Sequence, residues 1–302
     1  MGTPEFAVAP LKALVENGYN VVAVVTMPDK PAQRGMKLQY SAVKQYALEA
    51  GLPILQPEKF KEQAFLDELK SYNADLQIVV AFRMLPEVVW NMPPKGTFNL
   101  HASLLPQYRG AAPINWAIIN GETETGVTTF FLNHNIDTGN IIMQERTPIN
   151  PDDNIGTLYD RLMLIGADVV LKTVDKIASG DVKTYAQDEN QNLKPAPKIF
   201  KEDCLILWDK SARQVNDFVR GLSPYPAAYT TLKTQKGEDL RVKVLKVLPE
   251  QSECKEPIGT VITDNKSFIK VAVNDGYIYL NQIQPAGKKN MTAQEFLNGT
   301  KL

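Results

Sequence analysis

Asn99 and His101 stand two positions apart at the end of a mixed β-branched and apolar run, residues 97–100, that opens after Gly96. On an extended backbone, residues two apart project from the same side. An amide and an imidazole on one face at a strand's end form a catalytic pair in outline. The amide can donate to an oxygen that gains negative charge, and the imidazole can move a proton. The chain holds only two histidines. The plainer alternative is a satisfied histidine closing a strand, and the pair alone leaves both readings open.

The elements that must position this pair come from hydrophobic periodicity. Strand-like runs cover 21–26, 54–55, 76–81 and 97–100, and helical patterns cover 5–17, 41–50 and 61–72. Ser41 is placed as an N-cap and Gly51 as a stop. Alternation of this kind predicts a parallel sheet with crossover helices, whose ligands sit beyond the carboxyl ends of the strands. Phe82, Arg83, Met84 and Leu85, the stretch from Asn99 to Pro106, and Asp137 all fall at strand ends on this map. A helix over 113–120, a strand pair over 127–132 and 140–145, and a long helix within 154–179 complete the region. One element is missing from the map. Gly2-Thr3-Pro4 reads as a turn with no strand ahead of it, where a doubly wound sheet expects a buried one. The reading therefore expects further apolar residues before Met1 and a less stable chain without them.

From about 188 the chain is polar and proline-punctuated, and beyond it the pattern changes. Ser211 and Gln214 form a capping box, as do Thr292 and Glu295, and five short strand runs lie between them. Such a set suggests a small barrel of the oligonucleotide-binding (OB) type. The expected organisation is α/β: a Rossmann-like, mostly parallel sheet domain over 1–187, a linker over 188–200, and a small OB-like β-barrel domain over 201–302.

A net charge of −1 and a pI near 6.2 give no global basic field. The balance is uneven, with 18 Lys+Arg against 22 Asp+Glu in residues 1–200 and 15 against 12 in 201–302. Lys30, Arg34 and Lys37 make the proline-broken loop 28–37 basic. It is either a solvated surface loop or an arm touching phosphates. Cys204 and Cys254 show no metal-ligand spacing and no disulfide framework. Without an apolar run long enough to span a bilayer, the chain is expected in the reducing cytoplasm and away from membranes.

Two motifs carry a family resemblance. Ser103-Leu104-Leu105-Pro106, followed by Tyr108-Arg109-Gly110-Ala111-Ala112-Pro113, resembles the signature of the folate-dependent formyltransferases. Residues 126–139, ending in Asp137-Thr138-Gly139, resemble that family's second signature. The resemblance implies Asn99, His101 and Asp137 as the catalytic set, and 10-formyltetrahydrofolate as co-substrate with no metal. It implies that Ser103, Leu104, Leu105 and Pro106 hold the folate, and that Phe82, Arg83, Met84 and Leu85 line the pterin pocket chiefly through backbone groups. Ordinary loop packing is the alternative for Leu104, Leu105 and Pro106. His134, in an Asn-His-Asn segment that departs from the family pattern, is not carried over as catalytic.

The closing segment 284–293 and the second domain resemble those members that formylate methionyl initiator tRNA. In them the loop carrying Lys30, Arg34 and Lys37 corresponds to a tRNA-contacting insertion. The implied reaction is formyl transfer from 10-formyltetrahydrofolate to the amino group of methionyl initiator tRNA, by a monomer, in support of translation initiation. A sugar-nucleotide N-formyltransferase or a formyltetrahydrofolate hydrolase would share the Asn/His/Asp set, but the basic loop and the barrel argue against both. A non-enzymatic RNA-binding adaptor would not need the intact triad.

Overall fold

The computed structural model describes residues 1–31, 38–190 and 192–302. Its elements are, in order, α1 (Val8–Glu16), β1 (Val24–Val25), β2 (Lys30–Pro31), β3 (Leu38–Gln39), α2 (Ala42–Glu49), β4 (Ile54–Leu55), α3 (Gln63–Ser71), β5 (Gln77–Val80), α4 (Glu87–Trp90), β6 (Thr97–His101), α5 (Pro113–Ile119), β7 (Glu124–Phe131), β8 (Ile141–Pro148), α6 (Ile155–Ser179), α7 (Ala212–Leu222), β9 (Ala228–Lys233), β10 (Asp239–Gln251), β11 (Val261–Thr263), β12 (Ile269–Val273), β13 (Gly276–Pro285), β14 (Met291–Thr292) and α8 (Ala293–Gly299). They fall into two compact units. The first comprises 1–110, 125–147 and 159–195; the second comprises 111–124, 148–158 and 196–302.

In the first unit, β1 and β4 pair in parallel, β5 and β6 pair in parallel, and β7 runs antiparallel to β6 with β8 beside it. This is the Rossmann-like, mostly parallel arrangement. The slot between β1 and β5 is filled by Met1 and Gly2. Gly2 N–H donates to the Val25 carbonyl at 3.0 Å, and Val80 N–H donates to the Met1 carbonyl at 2.9 Å.

The strand read over 21–26 is regular only at Val24–Val25, and α4 was not legible. The helix read over 5–17 begins with a 3-10 turn, Glu5–Ala7. The loop 28–37, read as irregular, is corrected at its base, where β2 and β3 pair antiparallel. Pro31 can sit there because an edge strand tolerates a missing donor.

Alternation along β6 decides how the site is built. Phe98 and Leu100 are buried on one face, each burial stabilising by about 1.5–3 kcal/mol. On that face α6 packs closely: a Cβ at Gly166 would lie 2.8 Å from Leu100 Cδ2, so a larger residue there would have to displace the end of the leucine side chain. Thr129 and Thr173 share a hydroxyl hydrogen bond of 2.8 Å within the same layer. Asn99 and His101 are left on the opposite face.

The second unit holds one antiparallel sheet in the order β11-β12-β13-β10-β9, with β14 added to β13. Its β10–β13 register shifts around Lys246, which bends the ladder as a half-barrel requires. Helix α7 opens on the Ser211/Gln214 capping box and α8 on the Thr292/Glu295 box. Val215, Val219 and Leu222 of α7 enter the sheet's core beside Ile278, Leu280 and Ile283.

Candidate active site

His101 closes β6 with its ring almost wholly buried. Its Nε2 lies 2.8 Å from the backbone carbonyl of Tyr108. A carbonyl only accepts, so Nε2 carries the proton and donates. That commitment turns Nδ1 toward Asp137, whose Oδ2 is 3.9 Å away. This is an ion-pair separation, too long for a direct hydrogen bond.

Asp137 is held apart from the histidine by its own partners. Its Oδ2 accepts the backbone N–H of Gly110 at 3.0 Å. Its backbone is left-handed at φ 54, and Tyr108 is left-handed at φ 61. For a bulky tyrosine this is an outlier, costing of order 1–3 kcal/mol, and surrounding contacts must maintain it. They do: Tyr108 donates its N–H to the Lys194 carbonyl at 2.7 Å, while its own carbonyl takes the histidine.

Asn99 shares the face of His101 and is the register partner of Val79 in β5. Its Oδ1 is buried and has no hydrogen-bond partner within the protein. Buried polar groups are ordinarily satisfied, so an orphan on the strand face of His101 marks a position for a ligand atom. A half-turn of the amide places its two N–H donors at the same point.

The 103–106 segment is organised from beneath by Thr128, a fully buried residue of β7. Thr128 Oγ1 donates to the Ser103 carbonyl at 2.6 Å and accepts from Leu105 N–H at 3.1 Å and Gln144 Nε2 at 2.9 Å. The Ser103 hydroxyl is spent on the Gln107 carbonyl at 2.7 Å. Leu105 is buried with Phe130 and Ile141, whereas Leu104 and Pro106 are half-buried. The side chains of Ser103 and Leu105 thus shape the loop from inside.

Beyond β5, Met84 is 70% exposed and Leu85 is buried. Phe82 stacks edge-on against Phe60. The Arg83 guanidinium donates to the carbonyls of Glu58 and Pro57 and lies 3.9 Å from the Phe60 ring centroid. Burial draws its pKa below the ordinary arginine value. Arg83 therefore braces its own loop, and the segment's free surface is Met84 and backbone.

Arg34 and Lys37 lie outside the described residues, and of Lys30 only the backbone is described, in β2. His134 is 71% exposed, paired at 3.8 Å with Glu87 and edge-on to Trp90, with no part in the His101–Asp137 arrangement. Sequence reasoning missed Tyr108, Gly110 and Gln187 as individual contributors. Gln187 donates to the carbonyls of Asp137 and Gly139 at 2.8 and 2.9 Å from 50 and 48 residues away, and no local pattern announces such a bond. Among the described residues, no three His, Cys, Asp or Glu side chains gather as metal ligands, and no helix is long and apolar enough to cross a membrane.

A family model described as "Formyl transferase" matches residues 1–174, and one described as "Formyl transferase, C-terminal domain" matches residues 198–301. The chain is 58% identical to the methionyl-tRNA formyltransferase of Bacteroides thetaiotaomicron, over 100% of this chain and 95% of that one. It is 59% identical to the methionyl-tRNA formyltransferase of Parabacteroides distasonis, over 100% and 94%. Among solved structures, a sugar 3N-formyl transferase crystallised with dTDP and 5-N-formyl-THF superposes with a TM-score of 0.66 at 22% identity, covering 95% of this chain and 97% of that one. At that identity the likeness is one of fold.

Proposed function

The chain belongs to the formyl transferase family, and from that premise we propose that it transfers the formyl group of 10-formyltetrahydrofolate to the amino group of methionyl initiator tRNA, supplying translation initiation. The observation that carries the chemistry is the orphaned amide oxygen of Asn99 on the strand face of His101, with Asp137 across from the ring.

The formylfolate supplies an already activated one-carbon group, so an amine can accept it without a covalent enzyme intermediate. The residues fit that task. The Asn99 amide donates to the formyl oxygen as negative charge gathers there, a contribution of about 2.7–4 kcal/mol for one preorganised donor. His101 keeps its Nε2 proton on Tyr108 and exchanges the reaction's proton at Nδ1. Asp137, fixed by Gly110, sets a carboxylate 3.9 Å from that nitrogen. Ser103 to Pro106 and Phe82 to Leu85 form the folate-binding walls, mainly through backbone groups and the exposed Met84. Lys30, Arg34 and Lys37 hold tRNA phosphates, assisted by residues 201–302, where 15 Lys+Arg stand against 12 Asp+Glu, and the enzyme acts as a monomer.

The test is an acceptor competition. Purified protein is given 10-formyltetrahydrofolate with methionyl initiator tRNA, and separately with amino-sugar nucleotides. The expected product is N-formyl-methionyl-tRNA. Formylation of the sugars alone, or release of formate alone, overturns the reading.

A further inference from the structure

Residues 185–189 and 192–194, at the approach to a stretch whose composition reads as a linker, are bonded along the loops of Asp137 and Tyr108. Tyr185 exchanges two backbone hydrogen bonds with Ile141, at 2.9 and 3.1 Å. Gln187 Nε2 then donates to the carbonyls of both Asp137 and Gly139, at 2.8 and 2.9 Å. Its other end, Oε1, accepts from Arg109 Nε at 3.0 Å and from a second Arg109 nitrogen at 2.7 Å. That same nitrogen of Arg109 meets Glu189 at 3.1 Å. Farther on, Lys194 offers its carbonyl to Tyr108 and its N–H to Gln107 Oε1 at 2.9 Å.

One amide therefore joins the two loops whose backbones set the His101–Asp137 geometry. On one side is the turn bearing Asp137; on the other is Arg109, between the Tyr108 carbonyl that orients His101 and the Gly110 N–H that holds Asp137. The turn needs such a support. Asp137 is left-handed, and Gly139 runs so close to the strand that a Cβ there would sit 1.6 Å from the Phe131 carbonyl oxygen. Asn133 braces the turn's outer side, its Oδ1 accepting from Asn135 N–H and the Thr138 hydroxyl, each at 3.0 Å. Gln187 supplies donors to the side facing the loop of Arg109.

We propose that Gln187 is a positioning residue for the transfer reaction: it acts through Asp137, holding the aspartate's backbone so that the carboxylate faces His101 Nδ1. The proposal rests on the reading of Asp137 as part of the catalytic set. It follows that an acceptor at position 187 cannot replace the donor. Gln187→Glu keeps oxygens for Arg109 but sets a carboxylate against two carbonyls.

The test is a cycle of Asp137→Ala, Gln187→Ala and their double variant, with Gln187→Glu alongside, read as kcat and KM for both substrates. Gln187→Ala is expected to lower kcat by about 10–100-fold, the scale of a small misplacement of a catalytic group, with KM within about twofold. Gln187→Glu should match it, although its ion pair with Arg109 is intact. In the Asp137→Ala background, removal of Gln187 should cost nothing further. Additive losses in the double variant, or a fully active Gln187→Glu, overturn the proposal. If Asp137→Ala itself retains wild-type kcat, the catalytic reading of Asp137 fails and the proposal falls with it. Should Gln187→Ala not fold, Gln187→Glu and its double with Asp137→Ala give the same decision.

Discussion

Asp137 Oδ2 lies 3.9 Å from His101 Nδ1, and what sets that gap is the aspartate's bond to Gly110 N–H at 3.0 Å. The carboxylate acts on the ring as a fixed charge across a short space. Asp137→Ala should therefore lower kcat by about 10²-fold, the lower range for loss of acid–base assistance. Steady-state kinetics with both substrates checks this, and KM for folate should stay within about twofold.

The His101–Tyr108 bond separates the ring's structural and chemical duties. Gln at position 101 can still donate to the Tyr108 carbonyl but cannot carry a proton at neutral pH. His101→Gln should keep its melting temperature within a few degrees and lose about 10²–10⁴ in kcat. A variant that loses stability and activity in parallel would mean that the ring serves the loop alone.

Much of this arrangement could be read from local pattern. Asn99 and His101 share a face because strand periodicity is two, and the caps at Ser41, Ser211 and Thr292 follow from residues three apart. The strand at 21–26 was overestimated because β-branched runs report propensity, whereas regular pairing reaches only Val24–Val25. The supports of the site were not legible. Gly110 meets Asp137 from 27 residues away, and Arg109 meets Gln187 from 78. A polar, proline-punctuated stretch signals a linker by composition, yet Glu189, Asn192 and Lys194 within it bond to Arg109, Gln107 and Tyr108.

Thr128 holds the Ser103–Leu105 segment through two hydrogen bonds at one buried hydroxyl, which also accepts from Gln144. Thr128→Val keeps the shape and removes the partner of the Ser103 carbonyl and of the Leu105 N–H, while Gln144 Nε2 keeps its bond to the Leu105 carbonyl. Each buried orphan costs about 1–3 kcal/mol. Differential scanning calorimetry should show the first unit melting lower by several degrees, and folate affinity should fall with it. An unchanged melting temperature would show that water replaces the hydroxyl.

Arg34 lies outside the described residues, and its prediction rests on the charge of the loop that β2 and β3 flank. Arg34→Ala should raise KM for charged tRNA and reduce the salt slope by about one phosphate contact, leaving folate affinity unchanged. Formylation kinetics across a salt series decides it. Wild-type KM and salt dependence would return the loop to a solvated surface.

The central claim is that the Asn99 amide, whose buried Oδ1 has no partner within the protein, stabilises from the strand face of His101 the charge that gathers on the formyl oxygen. The measurement that tests it most directly is the single-turnover rate of formylation of methionyl initiator tRNA by Asn99→Ala, with both substrates saturating and folate binding measured in parallel. The account predicts a rate lower by about 10²–10³-fold, with folate affinity within about twofold of wild type. A rate near wild type with saturating substrates would contradict it.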